Sequence, residues 1–501
     1  MSGSTDYVYY TDYESLDPDN PFYSSTPPNQ CGTSGTHLAR YHWAGRTGCT
    51  EIQFGTNDIL DGRVFSNDSI WSKGGRFLQG IESAYPRCDN VVAGNRNTWR
   101  QCLRDDSDFT PTGNSATFGE PPRYARPLHL ADSSAEFAHF PGCHYYGATR
   151  IVFHSNGTMT VWSPDTAAAV GAGAEIRKLD DDGDGPTNCG STTALSSSSG
   201  ATVPLPSDFV IYAASVPSGA GVPQQIVPAG HLAGVLPLGN YDPDVNTGVG
   251  GDPGHRTSST PAPFTCNTNY LCYEVDKSML DTRKYRQEGN IYIQGVIKGR
   301  VTVAAAQSVV VTGDLMLAEG LNGDDLLGLV ATNTVEIMHP RMERYEWTNC
   351  NRSQNRGWPY NDTICNRTGA WEYRNLSGNV YYPAATWPQR VANPLTGANE
   401  PGTGIQIQGS IQTLQHSFAV QFFNEGKSRN EHGAIWVRGS IAQRYRGAVG
   451  QTGSPPKGYD KDYRYDARLK YTAPPFFPHW ANAQWSQRYT GEITTPTDLR
   501  G

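Results

Sequence analysis

The chain has 501 residues, which is enough for two or three domains or for one extended repeat body. Its 54 glycines and 34 prolines, with only six methionines, indicate a loop-rich protein dominated by β-structure, and the 27 tyrosines exclude a disordered chain. The formal net charge is −8, and because acidic and basic residues are interspersed, the pattern excludes a clustered nucleic-acid-binding face.

Residues 1–58 are polar and aromatic without sustained periodicity, and we expect an irregular N-terminal segment there. The first residues, Met1-Ser-Gly-Ser4, have neither the charged nor the apolar region of a signal peptide. The cysteines described below nevertheless indicate export, so we expect an export segment that has been removed. No apolar run approaches the roughly 18 residues of a transmembrane helix, so the sequence predicts no membrane span in this chain.

Residues 59–340 are predicted to form the body of the protein, a right-handed parallel β-helix (β-solenoid), with long loop excursions at 88–140, 164–206 and 239–288. Its first strands are expected from Ile59 to Trp71. A hairpin is predicted where two alternating strands, Thr149–His154 and Gly157–Trp162, face each other across Asn156-Gly157, because Asn-Gly favours the tight turn of a two-residue hairpin.

A β-rich stretch broken by one glycine occurs three times in the chain: Ile291-Tyr-Ile-Gln-Gly295-Val-Ile297, Ile405-Gln-Ile-Gln-Gly409-Ser-Ile411 and Ile435-Trp-Val-Arg-Gly439-Ser-Ile441. Each copy alternates with period two, so one face is buried and the other faces solvent. The glycine is expected where the chain bends or closely approaches a neighbouring backbone. Short strands and tight corners at near-constant spacing are typical of a β-solenoid.

The last third of the chain is predicted to contain an insertion at 341–402, the final solenoid turns at 403–443 and a Tyr/Pro-rich tail at 444–501. Aromatic residues crowd the insertion, and aromatic faces beside Asn and Arg suit the binding of sugars or proteins; a small loop core is an equally good explanation. The candidate binding residues are Trp358, Tyr360, Trp371 and Tyr373.

Ten cysteines lie outside the repeated strands, and none forms a C-x-x-C pair. An even number in loops favours disulfides in an oxidising compartment over zinc ligands. Sequential pairing is the simplest hypothesis, although the sequence leaves the connectivity open. The pairs would be Cys31–Cys49, Cys88–Cys102, Cys143–Cys189, Cys266–Cys272 and Cys350–Cys365. Six N-x-S/T triplets, among them Asn67, are glycan acceptors only if the host glycosylates.

Asp180, Asp182 and Asp184 precede Gly185 and match the first half of a calcium loop, in which alternate residues supply oxygen ligands. The twelfth position of the loop is Ser191 instead of the bidentate glutamate, so any Ca2+ bound here would be held weakly. A solvated acidic turn is the alternative. The sequence indicates no other cofactor.

Carboxylate side chains suggest an alternative, enzymatic function, because the known parallel β-helix proteins also include polysaccharide lyases and hydrolases. The candidates for such a cleft follow the central strands: Asp314, Glu319, Asp324 and Asp325. Asp314 also stands at a strand end after Gly313, where a turn carboxylate needs no catalytic role.

Several blocks of residues resemble exported, type IV pilus-associated surface proteins of actinobacteria. The blocks are Tyr9-Tyr-Thr-Asp-Tyr-Glu14-Ser-Leu-Asp17-Pro18, Phe65-Ser-Asn67-Asp68-Ser-Ile70, Ala148–Phe153 with Asn156–Val161, Gly439–Gln443, Arg446-Gly447, Gly458–Tyr463, Tyr465–Leu469 and Pro474–Pro478. They follow one another along nearly the whole chain. Such proteins usually begin with an apolar prepilin helix, which this chain lacks. The resemblance implies a surface or filament role and assigns no catalytic residue.

These observations predict a non-catalytic extracellular surface protein, either a pilus-associated structural subunit or an adhesin. The expected partners are further copies of the chain, pilus subunits or surface glycans. A carbohydrate-active enzyme and a glycan-binding module are the alternatives. The apolar repeat Ile435–Ile441, close to the C-terminus, is the candidate stacking end of the body.

Overall fold

The computed structural model describes residues 5–17, 41, 49–109, 117–197, 199–222, 287–338, 390–397, 404–421, 423–424 and 432–480, and the backbone of five short strands outside these ranges. Strands dominate the described residues, as the composition predicts, and the fold is all-β. Within these residues, no helix has the length and apolar character needed to cross a membrane.

The described residues from Thr5 to Pro204 contain twelve short strands. The first seven are β1 Tyr9–Tyr13, β2 Ile59–Asp61, β3 Val64–Ser66, β4 Arg76–Phe77, β5 Ile81–Ser83, β6 Thr117–Phe118 and β7 Arg123–Tyr124. A second group comprises β8 Gly142–Tyr146, β9 Thr149–His154, β10 Thr158–Trp162, α1 Thr166–Gly171, β11 Arg177–Lys178, α2 Thr192–Leu195 and β12 Ala201–Pro204. Short 3-10 helices lie at Pro86–Asn90, Arg96–Cys102 and Ala135–Ala138.

The remaining strands include the three glycine-containing repeats. They are β13 Val210–Ala214, β14 Arg256–Thr257, β15 Leu271–Tyr273, β16 Ile291–Ile297, β17 Arg300–Ala305, β18 Val309–Leu317, β19 Leu326–Ala331, β20 Val335–Ile337, β21 Met342–Arg344, β22 Glu346–Asn351 and β23 Asp362–Thr368. The last six are β24 Gly404–Thr413, β25 Phe418–Val420, β26 Ala434–Tyr445, β27 Gly450–Gln451, β28 Lys457–Gly458 and β29 Asp460–Tyr465. Further 3-10 helices lie at Gly320–Asn322 and Ala467–Lys470.

Most strands join one large sheet in which parallel pairing prevails. The longest run of parallel pairs, ladder A, connects ten described strands in the order β8, β13, β17, β19, β24, β26, β1, β3, β5, β7. At ~4.8 Å between neighbouring strands, its nine steps extend about 43 Å. Two further parallel ladders accompany it. Ladder B runs β16, β18, β24, β26, β29, β2, β4, β6, and ladder C runs β9, β16, β18, β20, β25.

Two of the three repeated glycines, Gly409 and Gly439, lie where a strand passes from one ladder to the next, and Gly295 lies at a register shift. In β26, residues up to Gly439 pair with β29, whereas residues from Ala442 onward pair with β1. Gly439 stacks on Gly409 of β24, and a Cβ on Gly439 would come within 1.9 Å of the Gly409 carbonyl oxygen. Both positions therefore require glycine for close backbone approach, as the sequence predicts.

The N-terminal strand lies in the middle of the sheet. Tyr10 of β1 pairs with Ala442 of β26 on one side and with Phe65 of β3 on the other. The expectation of an irregular segment over residues 1–58 is therefore wrong for β1. Because β26 has parallel neighbours on both sides, the expectation that Ile435–Ile441 forms the stacking end is wrong as well. The predicted tail also contributes β29 to ladder B.

One end of ladder A is covered by antiparallel strands. β11 pairs with β8, and β10 pairs with both β9 and β12. The hairpin predicted at Asn156-Gly157 is confirmed by the antiparallel pairing of β9 with β10. The excursion expected over 164–206 includes α1, α2 and β12, which form part of this cover.

A return segment, residues 125–141, connects β7 at one end of ladder A with β8 at the other. Leu130 and Phe137 of this segment are buried, and the Phe137 ring packs 6.4 Å from that of Tyr212 on β13. Its Ser134 hydroxyl donates to the Ala305 carbonyl oxygen at 3.0 Å. The segment therefore ties the N-terminal strands to the rest of the sheet along its outer surface.

Candidate functional site

The aromatic residues predicted to bind a ligand, Trp358, Tyr360, Trp371 and Tyr373, lie outside the described residues. The acidic turn predicted to bind calcium is described. Asp180 Oδ1 accepts hydrogen bonds from the backbone N–H groups of Asp182 (3.0 Å) and Asp184 (2.7 Å). In the part of the chain that the structure describes, no three His, Cys, Asp or Glu side chains gather into a metal site. Calcium binding therefore stays a prediction.

Of the four carboxylates named for an enzymatic cleft, Asp314 and Asp325 hold the fold together, whereas Glu319 and Asp324 are exposed. Asp314 is fully buried, and it accepts from Arg390 Nε at 2.7 Å and from the backbone N–H of Gln406 at 2.8 Å. Burial raises the pKa of Asp314, and these hydrogen bonds oppose that rise. Asp325 accepts from the N–H groups of Gly299 and Glu319, whereas Asp324 is exposed. Asp314 and Asp325 thus have identifiable structural roles.

Two of the predicted disulfides are present. Cys88 is bonded to Cys102, and Cys143 is bonded to Cys189. The second bridge links β8 to the cover of antiparallel strands at its end of ladder A. Cys49 is also disulfide-bonded. The side chains of Cys31, Cys266, Cys272, Cys350 and Cys365 lie outside the described ranges, so the remaining sequential pairs stay predictions.

Asn67 is a structural residue in the folded chain. Its side chain is fully buried and donates to Asp12 Oδ1 at 2.8 Å, while its own Oδ1 accepts from the Leu128 N–H at 3.0 Å. Asp68, next to it, accepts from the backbone N–H of Glu14 at 2.9 Å. Because the Asn67 amide is enclosed and bonded, folding shields this sequon from glycosylation.

The contact between the two ends of the chain, which we call the seam, is where β1 and β2 pair with β26 and β29. Two ion pairs cross it, Glu14–Arg446 at 2.8 Å and Asp58–Lys461 at 2.8 Å, and a third contact beside it places His416 Nδ1 2.9 Å from Asp17 Oδ2. Their partners are 432, 403 and 399 residues apart in sequence. We therefore expect these buried contacts to favour this stacking of distant strands over other pairings.

The Glu14–Arg446 pair is the most deeply enclosed of the three. The side chains are 0% and 1% exposed, and Glu14 also accepts from the Thr11 hydroxyl. The Arg446 guanidinium lies 3.6 Å from the centroid of the Phe54 ring, an enclosed cation–π contact. Burial raises the pKa of Glu14, and the neighbouring Arg446 opposes this rise.

A cavity of about 270 Å3 opens beside the seam. The Asp58–Lys461 pair lies in its wall, together with Glu51 and Trp71. Arg104 reaches Glu51 at 3.6 Å and stacks on the Trp71 ring at 4.3 Å from its centroid. Both ends of the chain supply the lining, so the cavity depends on the seam. No sequence motif indicated this cavity.

Paired charges also line the outer face of the strands near the seam. Asp462 accepts from Arg438 at 3.0 Å and from Arg464 at 2.9 Å. Glu82 accepts from both Arg63 and Arg123. Burial works to raise the pKa of Glu82, but the hydrogen bonds from Arg123 and Arg63 outweigh it and hold this pKa below its usual range. Glu82 is therefore an ionised anchor for the guanidinium groups of Arg63 and Arg123.

Parts of four of the sequence blocks quoted above lie at the seam. They supply Glu14, Arg446 and Lys461 to its ion pairs, and Asn67 and Asp68 to the contacts beside β1, whereas Asp58 lies outside these blocks. The only sequence feature that pointed to the seam was the presence of charged residues beside apolar strands. This feature does not indicate which acidic residue pairs with which basic residue. No protein-family model, curated protein or solved structure matches this chain.

Proposed function

We propose that this chain is a non-catalytic extracellular surface protein, a pilus-associated structural subunit or an adhesin, whose body is a right-handed parallel β-helix. The observation that carries the proposal is the seam, because it uses buried charges to lock the N-terminal strand inside the body. Three parallel ladders support the β-helix, with strands that change partners at Gly409 and Gly439 and a register shift at Gly295. Disulfides in loops fit an oxidising compartment outside the cytoplasm.

The position of β1 suits a protein that is held at its N-terminus. β1 has a parallel neighbour on each side, so a pull on residue 5 loads two sets of hydrogen bonds along the strand direction. An edge strand would have only one such set of hydrogen bonds. The Glu14–Arg446 pair adds a buried anchor directly after β1. If an anchoring segment precedes this chain, as the resemblance implies, a force on that segment acts first on β1, which is paired with a neighbour on each side.

Growth by strand addition is proposed for only one end of the body. The antiparallel cover over β8 and β9 blocks that end. The opposite end carries the short strands β6 and β7, near which Leu78 and Tyr124 are 40% and 41% exposed. Copies of the chain or pilus subunits would dock there. Surface glycans are the expected partners of an adhesin.

The test is protease treatment of intact cells of the source organism, followed by immunogold electron microscopy. The proposal predicts that the protein is degraded without cell lysis and that gold particles lie on the surface or along filaments. Protection from the protease until lysis, with label confined to the cytoplasm, would refute it. A polysaccharide-active enzyme remains the alternative prediction, and activity of the purified protein on polysaccharides tests it separately.

A further inference from the structure

We infer that the cavity at the seam binds one or two residues of a neutral sugar. This inference rests on the proposed surface role, since a sugar site beside the seam would make the protein an adhesin. It places the site on Leu16, on residues between Thr50 and Trp71 and on residues between Ala448 and Lys461, with Phe423 beside them, and not on the aromatic residues predicted to bind a ligand.

The size of the cavity sets the size of the ligand. Its volume is about 270 Å3, just below the roughly 300–1,000 Å3 typical of sites for drug-sized molecules. One monosaccharide ring with its hydroxyl groups, or two rings with one at the mouth, fits that space.

The lining combines apolar and hydrogen-bonding surface, as a sugar requires. Leu16 and Phe423 provide buried apolar wall, and Trp71 adds an indole ring, which suits the apolar face of a pyranose. Gln53 and Gln451 can each both donate and accept hydrogen bonds. The hydroxyl groups of two lining threonines, Thr50 and Thr452, can also both donate and accept hydrogen bonds.

The charges in the wall favour a neutral ligand. Asp58 is paired with Lys461 at 2.8 Å, and Glu51 with Arg104 at 3.6 Å. A charged ligand would have to separate one of these enclosed pairs, and that leaves an uncompensated charge in a poorly hydrated site. A neutral ligand accepts and donates hydrogen bonds without breaking either pair.

The wall is also rigidly held before any ligand binds. Arg104, which stacks on Trp71, is fixed from its other side by Asp106, with 2.7 Å between Arg104 Nε and an Asp106 carboxylate oxygen. Lys461 is fixed by Asp58 and also contacts the Phe54 ring at 5.6 Å. A preformed wall loses little conformational entropy on binding.

The experiment is a saturation-transfer NMR and calorimetric titration of the purified full chain. The probes are glucose, galactose, mannose, N-acetylglucosamine and their disaccharides. For about twelve ligand atoms at ordinary ligand efficiency, the expected dissociation constant is on the order of millimolar. Binding should weaken about three- to tenfold in Gln451→Ala, through the lost hydrogen bonds. Thr452→Trp should abolish it by filling the mouth.

Tyr471→Ala is the matched control, because Tyr471 is 91% exposed and does not line the cavity. It should bind as the wild type does. Gln451 and Thr452 are exposed at the cavity mouth, so both variants should fold, and circular dichroism checks this. No binding of any probe to the wild type, or undiminished binding in both cavity variants, would overturn the inference. Either result leaves the surface-localisation test untouched, so failure of the sugar site is distinguishable from failure of the proposed function.

Discussion

Replacing Arg446 with methionine tests whether the buried ion pair holds the two ends of the chain together. Glu14 and Arg446 are 0% and 1% exposed, so solvent screens their interaction little. Removing one partner of such a pair leaves an uncompensated buried charge and destabilises by about 3–5 kcal/mol. Against a typical total of roughly 5–15 kcal/mol, that is a large fraction of the folding free energy.

The loss should depend on pH through Glu14. Burial raises the pKa of Glu14 above its unfolded value, and removal of Arg446 raises it further because the opposing positive charge is gone. A carboxyl whose folded pKa is raised contributes stability below the unfolded pKa of ~4.3 and loses it as pH rises through the folded pKa. The deficit of Arg446→Met should therefore be larger at pH 8 than at pH 5.

The assay is urea unfolding followed by circular dichroism at both pH values. Arg464→Met is the control, because Arg464 is 45% exposed in its pair with Asp462 and its loss should be below about 1 kcal/mol. The double variant Glu14→Leu/Arg446→Met should recover most of the stability, since no charge is left buried. A deficit in Arg446→Met no larger than that of Arg464→Met, or one that grows toward pH 5, would refute the reasoning.

Three further predictions concern other parts of the body. Burial lowers the pKa of His144 to about 4, so the unfolding free energy should fall as pH drops below the unfolded pKa of ~6.5. The expected loss by pH 5 is roughly 2 kcal/mol. In urea titrations, His144→Gln should not show this loss. Phe137→Ala, in the return segment, should lower the unfolding free energy by about 3–5 kcal/mol, and a loss below about 1 kcal/mol would show that the segment is not tightly packed. Replacing both Cys88 and Cys102 with serine should cost about 3 kcal/mol, the value for a loop of about 15 residues; an unchanged melting curve would contradict this.

Local features of the fold could be predicted from the sequence because each one depends on neighbouring residues. The strands around Gly295, Gly409 and Gly439 follow from period-two alternation, and the hairpin at Asn156-Gly157 follows from its turn residues. The disulfide Cys88–Cys102 closes a short loop, which made the sequential pairing a good guess. Each of these signals is contained in a short stretch of consecutive residues.

The order of stacking could not be predicted, because the pattern of a parallel strand does not name its neighbour. Tyr10 pairs with Ala442, and β1 would satisfy the same alternation beside any other strand of ladder A. The seam site was missed for the same reason, since Glu14 and Arg446 become a pair only once the distant strands are placed together. Asp314 was assigned to a cleft because a sequence does not show that three donors enclose it.

The most direct test of the account is hydrogen exchange of the backbone amides of residues 9–13, measured by mass spectrometry on the intact, oxidised chain. If β1 is locked between β26 and β3, these amides should exchange as slowly as those of the central strands Ile405–Ile411, through global unfolding alone. Exchange as fast as that of an exposed terminus would show that β1 is not part of the body. Such a result would remove both the seam and the proposal that the protein is held through its N-terminal strand.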